Sequence, residues 1–253
     1  MRYYGGGYQP RRAIMLPGMS PVVKMLMIIN GAVFVLMFLI RPIYFFSIDY
    51  LSLIPYSVTH QFQLWRLVTY MFIHGGLMHI LLNMLFLWWF GSELERLWGP
   101  VVFLKYYFVT GIGGALFHLL LPNSTVPVIG ASGAVMGILI AYGLKWPNRV
   151  VLLWFILPVK MKWIVIFSVI IEFIGAINTS GASSGIAHLA HLGGMVVGFI
   201  YLNLNRIKWI IKDIFYKRRA AKKRSQFKIY NGEKDPLDSL FRDDDDDEDF
   251  TIH

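Results

Sequence analysis

The chain has 253 residues, of which 56% are hydrophobic, 16% aromatic and only 15% charged. A water-soluble domain of this length needs more polar surface than that, and several apolar runs approach the ~20 residues that cross a bilayer, so the sequence describes a polytopic membrane protein. It contains no cysteine, which excludes a disulfide scaffold, a thiolate metal site and a cysteine nucleophile. The net charge of +9 implies no nucleic-acid partner, because its distribution has a membrane explanation.

Six apolar segments are expected as membrane helices: 22–40, 77–97, 101–121, 132–144, 160–177 and 187–204. The first, VVKMLMIINGAVFVLMFLI, is too long for a signal-peptide core and lacks a small-residue cleavage site, so it reads as a retained helix. Residues 41–76 form a long aromatic, amphipathic connection with no full span. VVLLWFILP (150–158) is too short to cross and reads as an interfacial segment. With six helices both termini share one side, and of all the Lys and Arg only Arg41 and Arg66 fall on the other. The positive-inside rule makes both ends cytoplasmic. The organisation expected is an N-terminal segment 1–20, a membrane domain 21–205 and a tail 206–253. RIKWIIKDIFYKRRAAKKR (206–224) suits an anionic inner leaflet, and DDDDDED (243–249) is a like-charge run expected to be disordered. The compact chain, without an organelle-targeting extension, points to a bacterial plasma membrane.

The stretch GASGAVMG (130–137) raises the chemical question, because Ser132 opens an apolar run after the loop LPNSTVPVIG. From Ser132 to the stop at Lys145-Trp146-Pro147 is a helix of about 20 Å, against a hydrocarbon core of ~30 Å. Ser132 therefore starts its helix some ~10 Å below the outer face. Non-helical backbone at such depth survives only where protein shields it or where it lines a wet cavity. The free amides of a helix's first turn would surround the hydroxyl, where the macrodipole favours negative charge. Serine is also an ordinary helix cap and packing residue, so a nucleophile needs a base.

Seven histidines supply the candidates. His60, His74 and His253 fall in loops or the tail, and His118 has no evident partner. His188 and His191 lie in AHLAHLGGMVVG, where His191 sits about 6 Å down its helix. Gly133, Gly137 and Ala141 form one four-residue stripe of small residues, and Ala190, Gly194 and Gly198 another. Such stripes let helices approach closely. Ser132 and His191 are each one residue from their stripe, which makes a Ser–His hydrogen bond geometrically sound. His79 and Asn83, four apart on one helix face, are suited to donate to a tetrahedral intermediate beside the Ser132 N–H, or to act as a plain interhelical clamp. Glu172 is the one mid-helix acid, and nothing in the sequence ties it to His191, so a dyad is the economical expectation.

Together WR (65–66), HILLN with its HxxxN spacing, GASGAVMG and AHLGGMVVG resemble the rhomboid family of intramembrane serine proteases over roughly residues 60–200. The resemblance implies an all-α bundle of six transmembrane helices, with a short fourth helix whose start is buried and an interfacial loop between helices 1 and 2. It implies Ser132 as nucleophile and His191 as general base and then acid, with His79, Asn83 and the Ser132 N–H as oxyanion-hole donors. His188 lacks the following glycines at the family's spacing, and packing or a secondary polar contact is expected of it. Structural roles are implied for Trp65 and Arg66 in the half-sunk loop, and for Glu95, which would help hold the loop and helix ends. The same holds for Gly130 and Gly133 beside the serine, and for Gly194 and Gly198, which would let helix 6 meet helix 4. No cofactor or metal is implied. The partners implied are single-span membrane proteins, cut near their outer end, and membrane lipids; oligomeric state stays open.

Other chemistries fit less well. There is no HExxH and no pair of intramembrane aspartates, and His188-x-x-His191 has no carboxylate evident beside it for a metal. A catalytically dead rhomboid-like scaffold would be expected to lack Ser132 or His191. A transporter running through His79, Asn83, His191 and Glu172 leaves the truncated fourth helix unexplained.

Overall fold

The computed structural model describes residues 18–153, 156–178 and 188–204; the tail and the first residues of the N-terminal segment lie outside them. Helix α1 (Pro21–Leu39) begins with proline in its first turn, where the missing N–H costs nothing. Exposed Ile28, Phe38 and Leu39 give it a face suited to lipid rather than water. The connection that follows is built from α2 (Arg41–Phe46) with a π-helical turn Ser47–Leu51, then α3 (Pro55–Gln61), then α4 (Arg66–Thr69) with a 3-10 turn Tyr70–Phe72. Helix α5 (Leu77–Trp98) contains a π-helical stretch at Leu87–Gly91. Gly99, at φ +82°, turns the chain into α6 (Pro100–His118). Helices α7 (Ser132–Lys145), α8 (Met161–Asn178) and α9 (His188–Leu204) complete the described core.

Three of these helices, α1, α5 and α6, are long and apolar enough to cross a bilayer, with mean hydropathies of 2.4, 1.3 and 1.4. Helices α7 and α9 are apolar but shorter. Helix α7 is the centre of the bundle: Gly133 to Val135 and Gly137 to Gly143 are all buried. A helix apolar all round belongs inside other helices, and the sequence of α7 has no polar stripe.

Two expectations need correction. The all-helical reading misses an antiparallel hairpin in which β1 (Val150–Leu153) pairs with β2 (Leu157–Lys160), Val151 opposite Val159. The valines favour extended backbone, and Pro158 is tolerated because each strand has a free edge. No Gly or Asn marks the turn, so the run 150–158 carries none of the usual hairpin punctuation. The third apolar segment also ends earlier than 121. It stops at His118, and Leu120 and Leu121 fold into turns on Phe117 and His118 before Pro122.

The 41–76 connection is pinned by Arg66, which is buried. Its guanidinium donates to the Gln63 side chain at 2.6 Å, to the Ser52 carbonyl at 2.6 Å, and to the Asp49 carbonyl. The Trp65 indole donates to the Tyr50 carbonyl at 2.8 Å. A planar fork with several donors suits this convergence of backbone acceptors better than a lysine would. Arg66→Ala is expected to cost about 3 kcal/mol, because it strands buried carbonyls as well as removing charged hydrogen bonds. A lowered thermal unfolding midpoint in detergent checks this; an unchanged midpoint would mean that the connection is held elsewhere.

Candidate active site

Ser132 is the first residue of α7. The chain reaches it along an extended lead-in fastened to the 41–76 connection: Leu53 and Val128 exchange both backbone hydrogen bonds, at 2.9 and 2.8 Å. The Gly130 N–H donates to the Tyr70 carbonyl at 2.9 Å. Gly130 has φ +118°, where side chains are strained. A Cβ there would also stand 2.6 Å from His79 Nε2 and 3.5 Å from Ser132 Oγ, so glycine lets the His79 ring lie against the turn that carries the serine. The first helical bond, Val135 N–H to Ala131 O at 3.0 Å, leaves the amides of Ser132, Gly133 and Ala134 ahead of it, aimed at the helix start.

His191 stands on α9, with Nε2 2.6 Å from Ser132 Oγ. Backbone contact brings the two helices this close. A Cβ on Gly194 would fall 2.0 Å from the Gly133 carbonyl oxygen, and one on Gly198 would fall 3.3 Å from Gly137 Cα. The Gly133–Gly137 and Ala190–Gly194–Gly198 stripes thus face each other, with His191 carried to the start of α7.

Asn83 is buried on α5, and its Nδ2 donates to the His79 carbonyl at 3.0 Å. One donor of the amide is engaged there, and an amide carries two. Glu95 sits at the far end of α5 from His79. Its carboxylate accepts from the Val22 and Val23 N–H groups, both at 2.9 Å, and from the Ser20 hydroxyl. It therefore fastens the start of α1 as an acidic cap on unpaired amides.

Three residues carry more than sequence reasoning gave them. His74 lies against His79 with ring centroids 5.0 Å apart, and its Nε2 accepts the Ala131 N–H at 3.4 Å. Burial, then the neighbouring His79, push its pKa down to about 4, so it stays neutral and able to accept. Tyr70 donates its hydroxyl to the Gly111 carbonyl at 2.7 Å while its own carbonyl holds Gly130. Neither residue has a spacing signal in the sequence. Glu172 has one, as the lone mid-helix acid, and its placement overturns the expectation that no carboxylate lies beside the paired histidines. It is buried on α8, 2.8 Å from His188 Nδ1 and 3.1 Å from His191 Nδ1. His118 is buried with neither ring nitrogen hydrogen-bonded. Among the described residues no three His, Asp or Glu side chains converge as metal ligands.

The site is therefore a serine hydroxyl at a helix N-terminus, hydrogen-bonded to an imidazole and flanked by another, inside an apolar helical bundle. Residues 61–206 match the rhomboid domain. The chain belongs to the rhomboid family and is an integral membrane protein. It is 33% identical over 169 residues to RHOMBOID-like protein 4 of Arabidopsis thaliana, covering 66% of this chain and 41% of that protein. Rhomboid protein 1, mitochondrial, of Saccharomyces cerevisiae is 31% identical over 160 residues, 60% of this chain and 43% of the relative. Rhomboid protease GluP of Bacillus subtilis is 33% identical over 144 residues, 56% of this chain and 26% of the relative. The chain spans less than half the length of each of these three relatives.

Proposed function

We propose that the protein is an intramembrane serine endopeptidase that cuts transmembrane segments of other membrane proteins near their outer end. The observation that carries this is the 2.6 Å contact between Ser132 Oγ and His191 Nε2 at the start of α7. Serine is a weak nucleophile until a base takes its proton, and this contact places a base within reach. Ser132 Oγ attacks the scissile carbonyl as its proton passes to His191 Nε2. His191 then gives that proton to the leaving amine, and water releases the acyl group by the same steps in reverse order. Negative charge on the tetrahedral intermediate is met by the Ser132 N–H, with His79 and Asn83 beside it. A peptide bond within a helix is sterically covered and hydrogen-bonded, so the substrate must unwind before attack, which favours segments with small or helix-breaking residues.

Six membrane-crossing helices, with α7 beginning below the outer face and both termini in the cytoplasm of a bacterial cell, complete the proposal. The length of α7 supports it: 14 residues rise about 21 Å, less than a hydrocarbon core of ~30 Å. The test is cleavage of a single-span reporter protein in proteoliposomes. Asn83→Ala is expected to lower the cleavage rate about tenfold to a hundredfold, as one oxyanion donor of several is lost. A rate within error of wild type would return Asn83 to a purely structural bond with the His79 carbonyl.

A further inference from the structure

An ionised carboxylate inside a membrane bundle is costly unless it is paired, so the surroundings of Glu172 need an explanation. Its two oxygens meet two imidazoles of α9: Oε2 lies 2.8 Å from His188 Nδ1, and Oε1 lies 3.1 Å from His191 Nδ1. His188 and His191 are three apart and share a helix face. Gly175, one turn beyond Glu172 on α8, makes room for His188. A Cβ there would stand 2.4 Å from Cγ and Nδ1 of His188, so a side chain at 175 would displace that ring. The His191 ring is thus approached from both sides, by Glu172 at Nδ1 and by Ser132 at Nε2. His191 Nδ1 is buried and makes no hydrogen bond of good angle. Glu172 Oε1, 3.1 Å away, stands within hydrogen-bond distance of it. Catalytic hydrogen bonds are often misaligned until substrate binds.

We propose that Glu172 is a positioning residue for His191. Its carboxylate accepts a hydrogen bond from the Nδ1–H, which keeps that proton on the ring at Nδ1 and leaves the Nε2 lone pair facing Ser132, and its charge balances the imidazolium formed when the serine proton arrives. His188 touches the other carboxylate oxygen but has no part in the proton's path. The proton moves from Ser132 Oγ to His191 Nε2 and on to the leaving group, while Glu172 remains ionised throughout. The proposal rests on the protease function above and adds a third member to its dyad. The competing possibility is a helix–helix clamp between Glu172 and His188, with His191 a bystander.

Two measurements on the full-length protein in detergent separate these. The first is the rate at which a fluorophosphonate probe labels Ser132, with its maximal rate and its half-saturating concentration measured separately. Glu172→Gln and Glu172→Leu are expected to lower the maximal rate at least about tenfold, with half-saturation changed less than about twofold and Glu172→Gln unfolding near the wild-type temperature. His188→Ala is expected to cost no more than about threefold, since it leaves the contact between Glu172 and His191 in place. The second is nitrogen-15 NMR of the wild-type histidine rings, with His191 assigned by difference against His191→Ala. The neutral ring should carry its proton on Nδ1. A ring protonated on Nε2 overturns the proposal even if the Glu172 variants fail to fold. So does a Glu172→Leu protein that labels at the wild-type rate, or one whose loss is matched by His188→Ala. If wild type itself does not label at Ser132, the protease function falls and this proposal with it, an outcome distinct from all the others.

Discussion

Ser132→Ala and His191→Ala are each expected to reduce cleavage of a membrane-spanning reporter by about 10⁴-fold or more, with folding intact. The size follows from the division of labour. Without the hydroxyl no acyl-enzyme forms, and without the imidazole at 2.6 Å the hydroxyl keeps its proton. The losses should not add, because the two groups act on one proton, so the double variant should fall no further than either single one. Ser132 is one of a few polar groups at the start of α7, and trimming its hydroxyl removes little packing. A thermal unfolding midpoint close to wild type is therefore expected for Ser132→Ala. Turnover in Ser132→Ala well above background would leave the catalytic pair without support. It would revive the alternative of a membrane protein that binds client helices without cutting them.

Gly194→Ala is expected to do comparable damage by an unrelated route. The added Cβ would lie 2.0 Å from the Gly133 carbonyl oxygen, which is backbone and cannot swing aside. Helices α7 and α9 must separate, at a cost of about 3 kcal/mol or more. The pair of Ser132 and His191 bridges those same two helices, so activity should fall with the packing. Gly31→Ala is the matched control: it lies in α1 with nothing within 4 Å of the added carbon. There alanine should be neutral or stabilise by up to about 1 kcal/mol, through helix propensity alone. Unfolding curves in detergent read both, and a Gly194→Ala protein as stable as Gly31→Ala would mean that the two helices are not held by backbone contact.

The helix positions were legible because apolar runs bounded by Pro, Gly and Lys leave little choice. Expected starts at 77, 101 and 132 compare with observed starts at Leu77, Pro100 and Ser132. The meeting of α7 with α9 was legible for a related reason, since a four-residue stripe of small residues means close approach wherever a partner stripe exists. The hairpin was not legible, because β1 and β2 lie inside one apolar run without turn residues. Glu172 shows the deeper limit. Its rarity in a membrane helix marked it, but the rotation of α8 about its own axis decides whether it meets the histidines. That rotation depends on packing such as that of Gly175 beneath His188, which no local pattern encodes. His74 and Tyr70 are similar cases: each acts through contacts to backbone at Ala131, Gly111 and Gly130 that sequence spacing does not record. The contact of Glu95 with the amides of Val22 and Val23 has no local pattern in the sequence either.

The most direct measurement is to treat the solubilised protein with a fluorophosphonate probe and to locate the adduct by mass spectrometry, with Ser132→Ala and His191→Ala alongside. The result expected is a single adduct on Ser132 in the wild type and none in either variant. A folded wild-type protein that takes no adduct, or one labelled equally well without His191, would contradict an activated serine at the head of α7.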